Sequence, residues 1–155
     1  MKRKHIAYLA YGSNLGDKEN NIMQAYRLTE QKVGRMVKHS TLMHSEPWGF
    51  ESANAFVNSV AEVETTLSPH ELLRATQQIE REMGRTRKSK NGEYHDRIID
   101  IDILLYDDVS INDSDLVIPH PLMKERDFVM QPLKEIYDIT KKITHIIADM
   151  GLYVV

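Results

Sequence analysis

Apolar positions along the chain change their spacing several times, and each change marks an element. His5 to Tyr11 is mostly apolar or aromatic and runs into Gly12-Ser13-Asn14-Leu15-Gly16-Asp17, which carries turn and helix-cap residue types. A strand, a turn and a helix start are predicted. Asp17 is placed to cap that helix, and Ile22, Ala25, Tyr26 and Leu28 give a loose helical stripe ending near Gly34. Val37 to Met43 predicts a second strand, after which Ser45-Glu46-Pro47-Trp48-Gly49-Phe50 interrupts regular structure as a loop. Phe56 to Thr65 then alternates. Val57, Ser59, Ala61 and Val63 share one side, and Phe56, Asn58, Val60, Glu62 and Glu64 the other, which predicts a third strand.

Ser68-Pro69-His70-Glu71 opens a second helix, with serine as cap, proline first and glutamate third, ahead of Leu72, Leu73, Thr76 and Ile79. Gly84 stops it. From there to Arg97 no period survives, and Arg85, Arg87, Lys88 and Lys90 make a basic loop. Ile98 to Tyr106 predicts a strong strand, Asp107-Asp108 turns it, and Val109 to Ile111 pairs back. Val117-Ile118-Pro119-His120-Pro121 is extended, a helical portion begins near Arg126, and Thr140 to Met150 makes a short helix or a packed tail. The order strand, helix, strand, strand, helix, strand predicts an α+β, ferredoxin-like βαββαβ sheet with helices packed on one face, plus a C-terminal extension. The other sheet face is left open for a site. Fold alone suits an RNA-binding module equally well.

Composition narrows the function. The 155 residues fit one domain, 1–155, and 41% hydrophobic with 28% charged residues is ordinary globular usage. A net charge of −3 gives no global attraction to nucleic acid or to anionic lipid. There is no cysteine, so metal ligands must be oxygen or imidazole. The apolar run after Met1-Lys2-Arg3-Lys4 reaches Gly12-Ser13-Asn14 too soon for a signal peptide, and no stretch suits a membrane span. A cytoplasmic monomer acting on small molecules, with neither nucleic acid nor membrane as partner, is expected.

The chemistry concentrates on one strand. Alternation puts Asp100 and Asp102 on one face and Ile99, Ile101 and Ile103 on the other, where they read as core. Two neighbouring carboxylates on a half-buried face repel each other unless cations neutralise them, and a hard divalent ion resolves the conflict. Asp-x-Asp is a short pattern, and its second copy, Asp113-Ser114-Asp115, is an ordinary turn. The apolar strand and the upstream arginines set the first copy apart. Magnesium takes one or two carboxylates together with substrate phosphates, and Arg85, Arg87 and Arg97 supply planar donors suited to phosphate. The phosphate-binding Gly-x-x-x-x-Gly-Lys-Ser/Thr loop is absent. Trp48 either packs or lines a site, and Phe56 beside Asn58 suits a flat heterocycle if the aspartates share its face.

Gly84-Arg85-Thr86-Arg87, Arg97 to Leu105 and Val117 to Phe128, with Ala10 to Asp17 and Phe56-Val57-Asn58-Ser59-Val60, together resemble one family from the first strand to about Ile136. That family is 6-hydroxymethyl-7,8-dihydropterin pyrophosphokinase of folate biosynthesis. The resemblance implies a ferredoxin-like fold and attack of a pterin hydroxymethyl oxygen on the β-phosphorus of ATP, giving AMP. It implies that Asp100 and Asp102 hold two Mg2+ ions, that Arg85 and Arg97 grip phosphate, and that Arg87 and His120 assist ATP, with Arg126 nearby. Gln77, Glu80 and Ile103 match nucleotide-side positions. Phe56 and Phe128 would sandwich the pterin and Asn58 would bond its polar edge, with the Ser45, Glu46 and Trp48 segment completing the pocket. The chain departs from some members in having Lys90 to Asp96 where they carry an Arg-Trp pair, and Asp115 and Pro121 where they carry an arginine and a tyrosine near ATP. The competing readings are a ferredoxin-like RNA-binding module and another two-metal nucleotide enzyme of the same fold.

Overall fold

Strand β1 (His5–Ser13) is buried from Ala7 onward because strands pair with both of its edges and side chains cover both of its faces. The computed structural model describes residues 3–45, 55–84 and 97–137. After β1 come α1 (Lys18–Lys32), β2 (Gly34–His39), β3 (Met43–Ser45), β4 (Phe56–Thr65), α2 (Pro69–Glu82) and β5 (Asp100–Tyr106). A small hairpin of β6 (Ile111–Asn112) and β7 (Val117–Ile118), a 3-10 turn at Met123–Glu125 and α3 (Asp127–Ile136) follow. The main sheet runs β2-β4-β1-β5 with β3 also on β4, and every pair is antiparallel. This is the ferredoxin-like arrangement predicted from the sequence.

Local chemistry sets the element ends. The Asp17 carboxylate accepts from the Asn20 amide at 3.3 Å and caps α1. At α2, Ser68 Oγ accepts from the Glu71 amide and Glu71 Oε1 accepts from the Ser68 amide, closing the predicted capping box around Pro69. Two boundaries move. The second strand starts at Gly34 instead of Val37, because Gly34 still pairs with Thr65, and it breaks at Ser40–Leu42 before resuming as β3. At the break Ser40 turns its hydroxyl to the Val60 amide, so a side chain replaces a ladder bond. The last main strand starts at Asp100, two residues later than predicted, while Ile99 stays fully buried in the core.

The face carrying Ala7, Leu9, Tyr11, Val57, Ala61, Val63, Ile101 and Ile103 packs on Ile22, Ala25 and Tyr26 of α1 and Leu72 and Ile79 of α2. Tyr11 donates to Thr29 Oγ1 at 2.8 Å, Thr29 in turn donating to the Ala25 carbonyl, and Tyr26 meets Ser59 Oγ at 2.5 Å. Burial pushes both phenols above their ordinary pKa, so they stay protonated and can donate.

The opposite face, expected from the helix pattern to be open, is open only in part. The C-terminal extension returns as α3 and lays Val129, Leu133 and Ile136 on Tyr8, Ala10, Val60 and Leu104. Full burial of such side chains contributes roughly 1.5–3 kcal/mol each. A bulge at the Tyr8/Leu9 pairing lets both Leu104 and Leu105 join this second core. Glu135 then fastens the helix to the β2–β3 break, its two carboxylate oxygens accepting from the Thr41 amide and hydroxyl at 2.9 Å each. Among the described residues no helix is long and apolar enough to cross a membrane.

Gly34 has no room for a side chain, because a Cβ there would run into the Glu64 carbonyl. Gly34→Ala is expected to cost about 3 kcal/mol or more by forcing β2 off β4. Urea denaturation of the variant checks this, and an unchanged midpoint would show that the edge strand yields freely.

Candidate functional site

Strand register assembles a pocket at one end of the face that α3 partly covers. Gly12 of β1 lies opposite Asn58 of β4 on one side and Asp100 of β5 on the other. One step along, Ala10 stands between Val60 and Asp102. The two aspartates share a face, as alternation predicted, and the register meets the condition left open by the sequence by putting Asn58 and Phe56 on that same face. The first turn of α3 and its cap residue supply the facing wall, so Phe56, Asn58, Arg97, Asp100, Asp102, Arg126 and Phe128 all line one pocket. Its floor is low at Gly12, where an added Cβ would sit 3.0 Å from Asn58 Oδ1 and 3.6 Å from the Phe56 ring.

Charge in the pocket is arranged in pairs. Arg97 Nη1 lies 3.2 Å from Asp100 Oδ2, and Arg126 Nη1 lies 3.9 Å from Asp102 Oδ2. The arginines are almost fully buried, whereas the aspartate side chains are 20% and 27% exposed and open to the pocket. Each guanidinium also stands over an aromatic ring, Arg97 at 6.0 Å from the Phe56 centroid and Arg126 at 5.8 Å from that of Phe128. Burying two arginines is costly unless anions face them, and the aspartates meet that need here. Two hard carboxylate donors on one face, reached from an open pocket, are a donor set suited to magnesium.

Gln77, Glu80, Ile103 and His120 are not among the residues that line this pocket. Glu80 is 3% exposed, and its Oε2 accepts from the Ile101 amide at 2.8 Å. The cause is that β5 is an edge strand, so its outer amides lack sheet partners and α2 supplies an acceptor. Gln77, half-buried on the same helix, is not among the pocket residues. The alternation that turns the Asp102 side chain into the pocket turns that of Ile103 into the helix-covered core, as its reading as a core residue predicted. His120 is held at the rim of β5, its amide donating to the Leu104 carbonyl and its Nδ1 accepting from the Leu122 amide. Ser45 ends β3 opposite Phe56. Glu46, Trp48, Arg85 and Arg87 lie outside the described residues, as does the Thr140 to Met150 segment.

Asp113 and Asp115, read as a turn, flank that turn and meet His70 Nε2 at 3.0 and 3.5 Å on the exposed surface, away from the pocket lining. The sequence did not single out Asn14. It is 1% exposed, and its Oδ1 accepts from the Arg97 amide while its own amide donates to the Arg97 carbonyl. Its signal in the sequence was a polar residue inside a turn that is otherwise explained by Gly12 and Asp17.

A family model described as 7,8-dihydro-6-hydroxymethylpterin-pyrophosphokinase (HPPK) matches residues 8–138. A Porphyromonas gingivalis protein named 2-amino-4-hydroxy-6-hydroxymethyldihydropteridine pyrophosphokinase is 46% identical over 132 residues, covering 84% of this chain and 90% of that protein. A Bacillus subtilis protein of the same name is 44% identical over 139 residues, covering 89% of this chain and 81% of that one. A crystal structure of Plasmodium falciparum HPPK-DHPS superposes with a TM-score of 0.69 at 15% identity over 87% of this chain. The chain spans 41% of that longer protein, and at this identity the likeness shows the fold.

Removing the Glu80 carboxylate strands a buried amide. Glu80→Ala is expected to lower stability by about 1–3 kcal/mol. Hydrogen exchange at Ile101 should accelerate with it, and unchanged protection at that amide would contradict the assignment.

Proposed function

The chain belongs to the 7,8-dihydro-6-hydroxymethylpterin-pyrophosphokinase family, and from that membership we propose how its own residues divide the work. The enzyme transfers pyrophosphate from ATP to the hydroxymethyl group of 6-hydroxymethyl-7,8-dihydropterin in folate biosynthesis. In our reading the pterin hydroxyl oxygen forms a bond to the β-phosphorus as the bond from that phosphorus to the α,β-bridging oxygen breaks. AMP departs and the hydroxyl proton is released.

The observation that carries this assignment is the convergence of Asp100 and Asp102 with Phe56, Asn58 and Phe128 in one pocket. The aromatic pair suits the two faces of a pterin ring, and the Asn58 amide offers both a donor and an acceptor to its polar edge. Asp100 and Asp102 would hold two magnesium ions. Bound there, the metal would neutralise phosphate charge that the carboxylates alone would repel. Arg97 and Arg126 are the cations already placed in the pocket, and we assign Arg97 to the phosphates in transfer, with Arg126 on the nucleotide side. Arg85, Arg87 and His120 we assign to ATP, and Ser45, Glu46 and Trp48 to the pterin side, on the family resemblance. Catalysis of this kind rests on positioning and charge neutralisation and asks for no strong base from the protein.

The same reading places a single-domain monomer in the cytoplasm, where ATP is made and consumed. An RNA-binding module is disfavoured because this face carries α3 and the carboxylates of Glu62, Asp100 and Asp102, which would repel a phosphate backbone.

Incubation with hydroxymethyldihydropterin, ATP and magnesium is expected to release AMP and no ADP. Asp102→Ala is expected to cut the rate by about a hundredfold or more while leaving the circular dichroism spectrum unchanged. Near-normal turnover in that variant, or ADP as the product, would reject the site.

A further inference from the structure

The ladder between β1 and β5 ends at the Gly12–Asp100 pair, yet Arg97 is held to the β1 side beyond that point. The Asn14 amide donates to the Arg97 carbonyl at 3.1 Å, and the Arg97 amide donates to Asn14 Oδ1 at 2.6 Å. A side-chain amide has the dimensions of a peptide group, so Asn14 closes with its own side chain a rung that the diverging backbones no longer make. Asn14 is itself fixed on both flanks, because Asn21 Nδ2 donates to Ser13 Oγ at 3.2 Å and to the Leu15 carbonyl at 2.8 Å. The start of α1 thus holds the turn, and the turn holds Arg97.

One hydrogen bond leaves a residue free to pivot, whereas two on opposite sides of the same Cα fix it. The guanidinium lies at the far end of a long side chain, so a small rotation at the Arg97 backbone is magnified where it meets Asp100 and the Phe56 ring. We infer that Asn14 is a positioning residue for the transfer reaction: by pinning both backbone polar groups of Arg97 it aims that guanidinium at the phosphates in transfer. Asn14 touches neither substrate in this scheme. The inference rests on the assignment of Arg97 to those phosphates, and the experiment separates the two.

Turnover is measured for the parent, Asn14→Ala, Arg97→Ala and the double variant, with thermal midpoints alongside. Asn14→Ala is expected to lower kcat by roughly ten- to a hundredfold, the range for a misplacement near 1 Å, with the KM for pterin changed by less than about twofold. In the Arg97→Ala background the same change is expected to do almost nothing, because the group it aims is gone. If Arg97→Ala is slow and the two losses multiply, or if Asn14→Ala alone keeps normal kcat, Asn14 is structural only and the inference falls. If Arg97→Ala turns over normally, the assignment of Arg97 falls first and the inference with it. Should Asn14→Ala fail to fold, Asn14→Ser runs the same cycle with an oxygen too short to reach the Arg97 amide.

Discussion

Everything in the pocket depends on the register with which β1 pairs to β4 and β5. Side chains alternate, so a slip of one residue would carry Asp100 and Asp102 into the core under α1 and α2 and expose Ile101 and Ile103 in their place. Burying two carboxylates without partners costs several kcal/mol each, and exposing two isoleucines forfeits roughly 1.5–3 kcal/mol apiece. The core therefore selects the register, and the register delivers Asn58, Gly12 and Asp100 in one row. Site and core are two faces of a single choice.

On the pocket side the same strands carry the opposite chemistry, and it is balanced locally. Two buried arginines, two half-open aspartates and two aromatic rings form matched sets, Phe56 with Arg97 and Asp100, Phe128 with Arg126 and Asp102. Both sets draw an aspartate from β5, but Phe56 and Arg97 come from the start of β4 and the run into β5, whereas Arg126 and Phe128 come from the N-terminal end of α3. Neither arginine is left facing an apolar wall. The aspartates, being the more exposed partners, are the ones a ligand reaches.

Features fixed by short-range pattern were legible in the sequence. The β4 alternation gave both faces correctly because each face is apolar or polar for its own reason, and the α2 start was readable because a capping box is complete within four residues. Asp100 and Asp102 could be placed on one face by counting alone. What the sequence withheld were partners distant along the chain. The acceptor for the Arg97 amide is 83 residues away, that for the Ile101 amide is 21 residues away, and neither leaves a periodic trace. The family resemblance carried no trace of the bond from the Ile101 amide to Glu80 either. The covered second face was missed for a similar reason: the stripe of Val129, Leu133 and Ile136 reveals an amphipathic helix without saying which surface it will find.

The placement of α3 has a consequence for synthesis. All five strands of the main sheet lie within residues 5–106, and α3 leaves the ribosome after them. Asn58 and the two aspartates belong to the earlier segment, Arg126 and Phe128 to the later one. The second wall of the pocket is therefore the last part of it to become available to fold. Because residues of both segments line the pocket, ligand capture depends on the docked extension as much as on the βαββαβ unit.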